Sequence, residues 1–531
     1  MKLRFILFSI LLIVPFAGVF AQDQQNQTAK FGRLLRLVES YYVDSTNLEK
    51  LTEVAITNLL NELDPHSVYI SKDEVDEMNE PLQGSFDGIG ISFSILRDTL
   101  MVLQIIPGGP SEKVGLQAGD RIIYIDNEMV AGKGITNQEV FKKLRGPKGS
   151  IVELKILRES ETDLLEFDIV RDKIPIYSLD ASYMLDNKTG YIKLNRFAST
   201  STDEFVTAVN KLKNNSKLEN LILDLRGNGG GFLTAAYEIA DHFLESGRMI
   251  VYTEGLRSSK KEYTSVPDGI FEKGKLVVLI DGGSASASEI VSGAVQDWDR
   301  GVILGRRSFG KGLVQQPYYL TDGSMVRLTT AHYYTPSGRC IQRPYKDGAE
   351  EYKNELYDRA TNGELFSKDS IVVNDSLKYK TLINNRTVYG GGGVIPDIFI
   401  PIDTSSYYKY YNQLIRKNII NQFVINYVDK NRKELMKNYP LFSTFKKEFE
   451  VSDKLLEDLW NEGEKKEVPK DNESIAMLTE HAKRHLKAII ARDLWNSSEF
   501  YEIINSEDNE IKRAVQILNN PSEYDSILKG K

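Results

Sequence analysis

The sequence contains a single cysteine, Cys340, among its 531 residues. One cysteine cannot form an internal disulfide, so the fold must be stabilised by burial of an apolar core, which a chain of this length can supply. Basic residues are not in excess either, because the formal net charge is −8 and no basic stripe runs along the chain. This balance argues against nucleic-acid binding.

Long hydrophobic runs are confined to the N terminus. Lys2 and Arg4 precede an apolar stretch at residues 5–20, and Val-Phe-Ala follows at 19–21, a layout typical of a secretory signal peptide. We therefore predict a signal peptide over residues 1–21 and an exported protein of the periplasm or cell envelope. The stretch is short for a membrane-spanning helix, although an uncleaved anchor stays an alternative. No later run reaches spanning length, so we expect no transmembrane span in the mature chain.

A serine follows one short apolar run at a turn. Residues 276–280 are typical of a strand that is buried on both faces, Asp-Gly-Gly at 281–283 ends it, and residues 286–298 are predicted to be helical. Ser286 would lie in the first turn, where unpaired backbone N–H groups and the helix dipole favour negative charge. The plain alternative is a helix-capping serine, and Ser284 and Ser288 are expected to cap or pack.

Lys311 lies further along, between two glycines that let neighbouring backbone pack closely. A serine hydroxyl needs a base to become a nucleophile, and a lysine serves only when neutral, so its pKa must fall from about 10.4. Burial away from carboxylates has that effect, and no acid lies between residues 301 and 319. Arg306 and Arg307, if near, would act in the same direction. The alternative is a surface lysine in a glycine turn.

A second glycine-rich turn, like the one before Ser286, lies between a predicted buried strand and a predicted helix. Residues 221–226 are predicted to form a buried strand, Gly-Asn-Gly-Gly-Gly follows at 227–231, and a helix is expected from about 233 to 245. Such a turn exposes backbone N–H groups of the kind that acyl-transfer enzymes use as an oxyanion hole. A plain strand–turn–helix junction is the alternative, while a dinucleotide-binding turn fails because Phe232 replaces its last glycine.

Taken together, these residues resemble the C-terminal processing peptidases, the carboxyl-terminal or tail-specific protease family of serine peptidases. The resemblance covers roughly residues 35–400. It rests on motifs in the family's order: Leu-Asp-Pro-His-Ser at 63–67, Gly-Ile-Gly-Ile at 88–91, Asp-Leu-Arg-Gly-Asn-Gly-Gly-Gly at 224–231, Gly-Ser-Ala-Ser-Ala-Ser-Glu at 283–289, Gly-Lys-Gly at 310–312, Tyr-Thr-Pro-Ser-Gly-Arg at 334–339 and Pro-Asp at 396–397.

The resemblance implies roles for individual residues. It makes Ser286 the nucleophile, Lys311 the general base and Gln315 the group that orients this base. Glu289 matches a position that supports the site in the family. The equal alternative is that Glu289 is a first-turn glutamate whose charge interacts favourably with the helix dipole. The oxyanion hole would be the N–H of Ala287 with one from the pair Gly230 and Gly231, of which we favour Gly231. Neither a metal nor an organic cofactor is implied.

Residues 82–172 alternate strands and turns and look like a PDZ domain. The loop Gly88, Ile89, Gly90 and Ile91 would present N–H groups to the terminal carboxylate of a peptide, which adds to the sheet as a strand. Val140 and Leu144, on a predicted helix, are expected to contact the same peptide. The alternative is an autonomous β module without a ligand.

The fold class that follows is a multidomain α+β and α/β protein. We predict the signal peptide at 1–21, an N-terminal helical region at 22–81 whose residues 22–28 are polar and flexible, and the PDZ domain at 82–172. An α/β, crotonase-like peptidase core follows at 173–402, with a polar insertion at 345–388 that is a lid, a partner surface or a disordered loop. A helical C-terminal region occupies 403–531.

The function we predict is that of an exported serine endopeptidase, which recognises protein C-termini through its PDZ domain and cleaves with a Ser-Lys dyad. Its partners would be proteins or peptides with a free C-terminus. A non-catalytic PDZ adaptor that presents C-termini to another protease is the alternative, and a hydrolase of small esters is a second one. A homo-oligomer or an adaptor protein as a further partner stays open.

Overall fold

The computed structural model describes residues 14–159, 161–346, 348–403 and 409–531. The α-helices within these ranges are α1 (Val14–Tyr41), α2 (Leu48–Asn61), α3 (Val75–Gln83), α4 (Pro110–Val114), α5 (Asn137–Leu144), α6 (Ser201–Asn215), α7 (Leu233–Asp241), α8 (Ala287–Asp297), α9 (Ala349–Thr361), α10 (Lys409–Arg416), α11 (Ile419–Asn438), α12 (Phe442–Glu448), α13 (Asp453–Lys465), α14 (Asn472–Leu494), α15 (Ser497–Ile504), α16 (Asn509–Asn519) and α17 (Pro521–Leu528).

The strands are β1 (Val68–Ile70), β2 (Ser85–Gly88), β3 (Ile91–Leu96), β4 (Thr99–Ile105), β5 (Arg121–Ile125), β6 (Glu128–Met129), β7 (Ile151–Leu157), β8 (Leu165–Val170), β9 (Asp172–Pro175), β10 (Leu179–Met184), β11 (Thr189–Leu194), β12 (Asn220–Asp224), β13 (Met249–Gly255), β14 (Ser258–Thr264), β15 (Lys275–Ile280), β16 (Val302–Gly305), β17 (Leu313–Tyr319), β18 (Met325–Tyr334), β19 (Lys378–Lys380), β20 (Thr387–Tyr389) and β21 (Ile398–Phe399).

The N-terminal part differs from one expectation. Residues 22–28, predicted to be flexible, lie inside α1. The physical reason is the composition of the segment, because four of its seven residues are glutamine, a good helix former that is not apolar enough to reveal a buried face in the sequence. Residues 1–13 of the predicted signal peptide lie outside the described ranges. Among the helices that are described, none combines the length and the apolar character needed to cross a bilayer.

The chain divides into two units, and the smaller contains residues up to 75 together with residues 315–329. In this unit β1 pairs antiparallel with the first residues of β18. The buried Asp64 carboxylate accepts hydrogen bonds from the Ser67 amide and hydroxyl and from the hydroxyl of Thr329. The Leu-Asp-Pro-His-Ser motif is therefore a turn that is closed by its own aspartate and joined to the segment before Thr330.

The larger unit, residues 76–314 and 330–531, contains the central sheet. Its order is β10-β11-β12-β15-β16-β21, and all neighbours are parallel except β10 and β11. Strands β11, β12 and β16 are buried at every residue, as expected for parallel strands that are covered on both faces. The apolar runs at 221–226 and 276–280 were correctly predicted as strands.

The two faces of this sheet are covered by different parts of the chain. On one face Leu223 and Val278 pack with α7 and α8. On the other face Ile222 and Val277 pack with α16 and α17, the last helices of the chain. The alternation follows from the two-residue period of a strand, and it makes the C-terminal end part of the layer that supports the sheet.

The predicted PDZ region forms its own sheet, β3-β4-β5-β7-β8, with β6 paired to β5. Helices α10–α15 share a separate core. This helical core contacts the PDZ sheet, since Arg121 of β5 pairs with Asp429 of α11 at 2.7 Å and Gln104 donates to the Arg492 carbonyl at 2.6 Å. The insertion at 345–388 contains α9 and the hairpin β19–β20, so within its described residues it is folded rather than a disordered loop.

The aromatic and histidine residues of the helical region pack inside it. The tyrosines at 407, 408, 410 and 411 form a cluster in the sequence that predicts helix packing, and Tyr411 is buried beside Trp460. Residues 407 and 408 lie outside the described ranges. His481 and His485 are four residues apart with Lys483 and Arg484 between them, a pattern that predicts an exposed helix face. The His485 Nδ1 nevertheless lies 2.8 Å from the Tyr411 hydroxyl. Burial lowers the pKa of His485 to about 4. The expectation was wrong because helical spacing alone does not say which face of α14 is covered.

Candidate active site

The turn that carries Ser286 joins β15 to α8. Ser286 has φ 55° and ψ −111°, a region that side-chain-bearing residues rarely adopt and that costs of the order of 1–3 kcal/mol. The residue is half-buried between Ala285 and Ala287, which are both buried. A strained serine at a sharp strand-to-helix turn is the geometry of a nucleophile elbow. The Gly-x-Ser-x-Gly pattern that usually marks it is absent around Ser286.

The glycine turn at 227–231 lies beside the serine turn, because each follows one of two neighbouring parallel strands, β12 and β15. The Asn228 carbonyl accepts from the Ala285 amide at 3.0 Å and from the Ser288 hydroxyl at 2.8 Å. The Ser284 hydroxyl donates to the Leu225 carbonyl at 2.8 Å. Ser284 and Ser288 therefore connect the two turns, in agreement with the packing role predicted for them.

Three backbone amides at these turns differ in their partners. The Gly230 amide donates to the Asn228 side-chain oxygen at 2.9 Å. The Gly231 amide, on an exposed residue, donates to no residue in the described part of the chain. Ala287 is the first residue of α8, so its amide has no acceptor within the helix. Of these three amides, only that of Gly230 has an acceptor in the described part of the chain.

Gly230 supplies close packing at the same place. A β-carbon on Gly230 would be 2.9 Å from the Ser286 β-carbon and 3.1 Å from the Ala287 nitrogen. Its φ is +104°, a conformation that favours glycine. The glycine turn can therefore touch the serine turn only because residue 230 lacks a side chain.

Lys311 belongs to a loop that follows β16, the next parallel strand of the sheet. We call residues 308–312 the lysine loop. The predicted close packing at its glycines is present, since a β-carbon on Gly310 would be 3.1 Å from the Gly393 nitrogen and one on Gly312 would be 2.8 Å from the Gln342 nitrogen. Turns from three adjacent strand ends thus meet at one edge of the sheet, the usual position of sites in open α/β folds.

The Glu289 carboxylate joins the serine turn to the lysine loop. One oxygen accepts from the amides of Ser286 and Lys311, at 2.8 and 2.9 Å. The other accepts from the Ser308 hydroxyl at 2.5 Å and the Gly310 amide at 2.7 Å. Since one oxygen binds both amides, the two nitrogens lie no further apart than the sum of those two distances. The structure therefore brings the backbones of Ser286 and Lys311 together.

Tyr333 closes this arrangement from β18. Its buried hydroxyl lies 3.0 Å from the Ser286 carbonyl oxygen and 2.7 Å from that of Lys311, and both can share its proton. Glu289 thus binds the amides of Ser286 and Lys311, and Tyr333 contacts their carbonyls. Sequence reasoning gave Tyr333 no role, because a tyrosine in a strand carries no motif that points to the serine turn.

The charges near the lysine loop differ from the expectation. Burial raises the pKa of Glu289, and the hydrogen bonds from Ser308, Lys311, Gly310 and Ser286 oppose this rise. Sequence reasoning considered only acids between residues 301 and 319, whereas this carboxylate comes from α8. Arg306 pairs with Glu510, and Arg307 pairs with Glu364 at 3.2 Å, so both arginines have carboxylate partners.

Gln315 lies in the smaller unit, half-buried, and its side-chain nitrogen donates to the carbonyl of His66. The His66 amide donates to the Asp64 carboxylate at 2.8 Å, so His66 belongs to the turn that Asp64 closes. The sequence places His66 in a proline-containing turn, and in the structure its backbone is part of that turn.

The predicted peptide-binding residues of the PDZ region are mostly covered. Val140 and Leu144 are buried in the core of that region together with Ile89. Gly88 and Gly90 are buried as well, and only Ile91 is half-exposed. Ile91 begins β3, the end strand of its sheet. Phe93 of β3 and Phe141 of α5 meet edge to face, with ring centres 5.3 Å apart, between the strand and the helix.

Comparison with known proteins gives the same family as the motifs. A carboxy-terminal-processing protease of Bartonella bacilliformis is 36% identical over 338 residues, which are 62% of this chain and 77% of that protein. The chain belongs to this protease family. The carboxy-terminal processing protease CtpB of Bacillus subtilis is 34% identical over 334 residues, 62% of this chain and 68% of that protein. The chain is accordingly a serine-type peptidase.

Family profiles match three parts of this protease. The profile of peptidase family S41 matches residues 188–348, and a PDZ domain profile matches 101–158. Residues 410–496 match a family of unknown function, which the sequence motifs did not reveal. A solved photosystem II D1 C-terminal processing protease is 29% identical, with a TM-score of 0.33, and the match covers 59% of this chain and 89% of that one.

Proposed function

We propose that this protease cleaves protein substrates with Ser286 as nucleophile and Lys311 as general base. The observation that carries the proposal is the Glu289 oxygen that accepts the amides of both residues, at 2.8 and 2.9 Å. It holds a strained, half-buried serine beside a half-buried lysine at one edge of the sheet. Membership of a serine protease family supports the same assignment.

The chemistry follows from these two side chains. Ser286 Oγ attacks the scissile carbonyl while Lys311, as the neutral amine, accepts its proton. Lys311 then returns the proton to the leaving amine, and water releases the acyl-enzyme. Gln315 is proposed to orient Lys311, on the resemblance alone. Glu289 is proposed to support both residues through the backbone rather than to touch the substrate.

The oxyanion that forms would be bound by the amides of Ala287 and Gly231. Neither of these amides donates a hydrogen bond to an acceptor among the described residues, and Gly231 is exposed. Gly230 was the other candidate donor, but its amide is engaged by Asn228. Its proposed contribution is the close approach of the two turns. Donors fixed before the reaction stabilise developing charge most effectively, and removing one typically costs about 10²–10³-fold in kcat.

Substrate recognition is proposed to use the PDZ domain. A peptide with a free C-terminus would add to the open side of β3, with the carboxylate at Gly88, Ile89, Gly90 and Ile91. The position of β3 at the end of its sheet supports this. Because Val140 and Leu144 are buried and Phe141 lies against Phe93, the peptide would have to displace Phe141 to reach them.

The remaining parts of the proposal concern location and organisation. Export to the periplasm or envelope rests on the predicted signal peptide at 1–21. The boundaries predicted for the helical region, the PDZ domain, the peptidase core and the C-terminal region are proposed as divisions along the sequence, although α16 and α17 of the C-terminal region pack on the peptidase sheet. Homo-oligomerisation stays an open expectation.

The test compares the mature protein with Ser286→Ala and Lys311→Ala on an unstructured protein substrate. We expect both variants to lose at least about a thousandfold in kcat/KM, since each removes one member of a catalytic pair. Ser376→Ala and Lys273→Ala change exposed residues of the same types and are the matched controls. Their activity should stay within about twofold of the parent, as is usual for surface substitutions.

Melting temperatures and PDZ peptide binding show whether the inactive variants are folded. Full activity in folded Lys311→Ala would eliminate the dyad. Full activity in folded Ser286→Ala would eliminate the nucleophile.

A further inference from the structure

Helix α9 packs against the lysine loop from a part of the chain that the S41 profile does not cover. The profile ends at residue 348, and α9 begins at Ala349 inside the insertion. Most of α9 is exposed, but Tyr352 and Arg359 are buried. Because these two side chains lie on the face that meets the lysine loop, the insertion has a defined contact with the proposed site.

Arg359 binds the backbone of the lysine loop. Its guanidinium donates to the Ser308 carbonyl at 2.8 Å and to the Phe309 carbonyl at 3.3 Å. These two residues precede Gly310 and Lys311 in the loop. A guanidinium is suited to this task, because its planar set of donors can bind two neighbouring carbonyls at once.

Arg359 is itself held by a carboxylate on the same helix. Glu355 accepts from the Arg359 Nε at 2.7 Å and also pairs with Arg343. Burial alone would raise the pKa of Glu355, but Arg359 and Arg343 outweigh it and keep this pKa below its usual range. The carboxylate therefore fixes the guanidinium in the orientation that reaches the loop.

Arg343 adds a second connection between α9 and the loop. Its guanidinium carbon lies 4.2 Å from the centre of the Phe309 ring and 3.8 Å from that of Tyr352. The cation is thus placed between a side chain of the lysine loop and a side chain of α9, an arrangement that stabilises both aromatic contacts. Its amide also donates to the Gly310 carbonyl at 3.0 Å.

Both the amides and the carbonyls of the lysine loop are therefore hydrogen-bonded to buried side chains. Glu289 accepts from the amides of Gly310 and Lys311. Arg359 donates to the carbonyls of the two residues just before them. We propose that Arg359, held by Glu355, is a positioning residue that keeps Lys311 aligned with Ser286 during catalysis, so that α9 completes the active site. This inference rests on the proposed Ser286–Lys311 dyad.

The plain alternative is a set of ion pairs that stabilises the fold and leaves the chemistry unaffected. The two readings differ in what they change. Misplacing a base lowers the rate of the chemical step in every folded molecule, and a displacement of about 1 Å can cost roughly 100-fold. Loss of stability instead lowers the fraction of molecules that are folded and leaves the folded ones fully active.

The experiment measures kcat, KM and the kinetics of fluorophosphonate labelling of Ser286 in Arg359→Gln and Arg359→Lys. For Arg359→Gln we expect kcat to fall about 10–100-fold with KM changed little, and the labelling rate to fall by a similar factor at full labelling amplitude. Arg359→Lys keeps a cationic donor and should recover most of the rate. Glu355→Gln should show a smaller loss in the same direction.

Lys353→Gln is the matched control, because it removes a cation from an exposed position of the same helix. It should behave like the parent protein. An unchanged kcat and labelling rate in folded Arg359→Gln would overturn the proposal. So would a loss confined to the labelling amplitude that follows a lower melting temperature.

Ser286→Ala and Lys311→Ala, measured beside these variants, separate this inference from the proposed function. If both are inactive while Arg359→Gln matches the parent, only the role of α9 is lost. If folded Lys311→Ala is active, the dyad fails, and the positioning role of Arg359 fails with it.

Discussion

The backbone of Ser286 is strained, and hydrogen bonds with two neighbouring side chains hold it in this conformation. A serine at φ 55° and ψ −111° would relax if its neighbours allowed it. The Glu289 carboxylate holds the Ser286 amide, and the Tyr333 hydroxyl contacts the Ser286 carbonyl. Glu289 is fully buried with four donors around it, contacts that the helix-dipole effect expected of a first-turn glutamate does not require.

Replacing Glu289 by glutamine tests this role. The amide group puts an N–H donor where a carboxylate oxygen now accepts two hydrogen bonds, so two buried donors lose their acceptor. Each unpaired donor costs about 1–3 kcal/mol, and we expect the free energy of unfolding to fall accordingly. We also expect kcat to fall about tenfold or more, because either orientation of the new amide group removes a hydrogen bond that holds the lysine loop. Denaturant titration and steady-state kinetics measure the two effects.

Glu473→Gln is the matched control for this change. Glu473 is an exposed glutamate in the first turn of α14 and has the dipole interaction without the buried network. Its loss should cost at most about 1 kcal/mol and leave kcat unchanged. Equal effects of the two substitutions would mean that Glu289 acts on the helix dipole alone.

At the scale of structural elements, three strand-to-turn junctions form the proposed site. Strands β12, β15 and β16 are parallel neighbours, so their carboxyl ends meet at one edge of the sheet. The glycine turn, the serine turn and the lysine loop follow these ends. Their mutual approach depends on small residues and on backbone hydrogen bonds, because a side chain at the contact would separate the turns.

The glycine turn offers a comparison between adjacent residues. Gly230→Ala would bring a β-carbon to 2.9 Å from both the Ser286 β-carbon and the Ala285 carbonyl oxygen, at φ +104°. We expect kcat/KM to fall about 100-fold or more, because the serine turn must move away from the Gly231 amide. Gly229→Ala meets no atom within 4 Å and is the control, which should retain its activity. Comparable kinetics for the two variants would contradict this packing argument.

On the scale of the whole molecule, the end of the chain completes the peptidase sheet. Helices α16 and α17 pack on one face of the sheet, and Glu510 of α16 pairs with Arg226 and Arg306. These arginines adjoin the glycine turn and the lysine loop. The last residues of the chain therefore stabilise the strands from which the site is built, although they lie far from it in sequence.

A core substitution in α16 tests this dependence. Ile517 is fully buried against the sheet, and Ile517→Ala should lower the stability of the protein by about 2–5 kcal/mol through lost burial and a residual cavity. Ile415→Ala, at a residue of α10 that is 46% exposed, should cost less than about 1 kcal/mol. Thermal and chemical unfolding compare the two. A negligible effect of Ile517→Ala would show that the sheet is stable without this layer.

Much of the architecture was predictable from local patterns. The apolar runs that end in glycine turns predicted β12 and β15 and the helices after them, since buried parallel strands and helix starts leave local signals. The ordered motifs gave the family, the PDZ domain and the peptidase class, which the comparisons confirm. The roles of Ser286, Lys311, Gln315 and the oxyanion-hole amides stay predictions.

Contacts between distant segments were not predictable. Glu289 reaches a loop that begins 19 positions further along the chain, and Arg359 reaches the same loop from an insertion of unassigned role. The tail was expected to be a separate helical region, yet its last two helices cover the peptidase sheet. A local sequence pattern cannot predict such contacts. It shows that a side chain can form a hydrogen bond or that a helix has an apolar face, but not which distant residue each will contact.

The sequence by itself determined the strands, the turns, the residue types at the site and the family, because each depends on neighbours along the chain. Only the tertiary structure decided which turns meet, which carboxylate joins Ser286 to Lys311 and which helices cover the sheet. These outcomes follow from strand order and from the burial of complementary surfaces, and burial is settled only when the whole chain has packed.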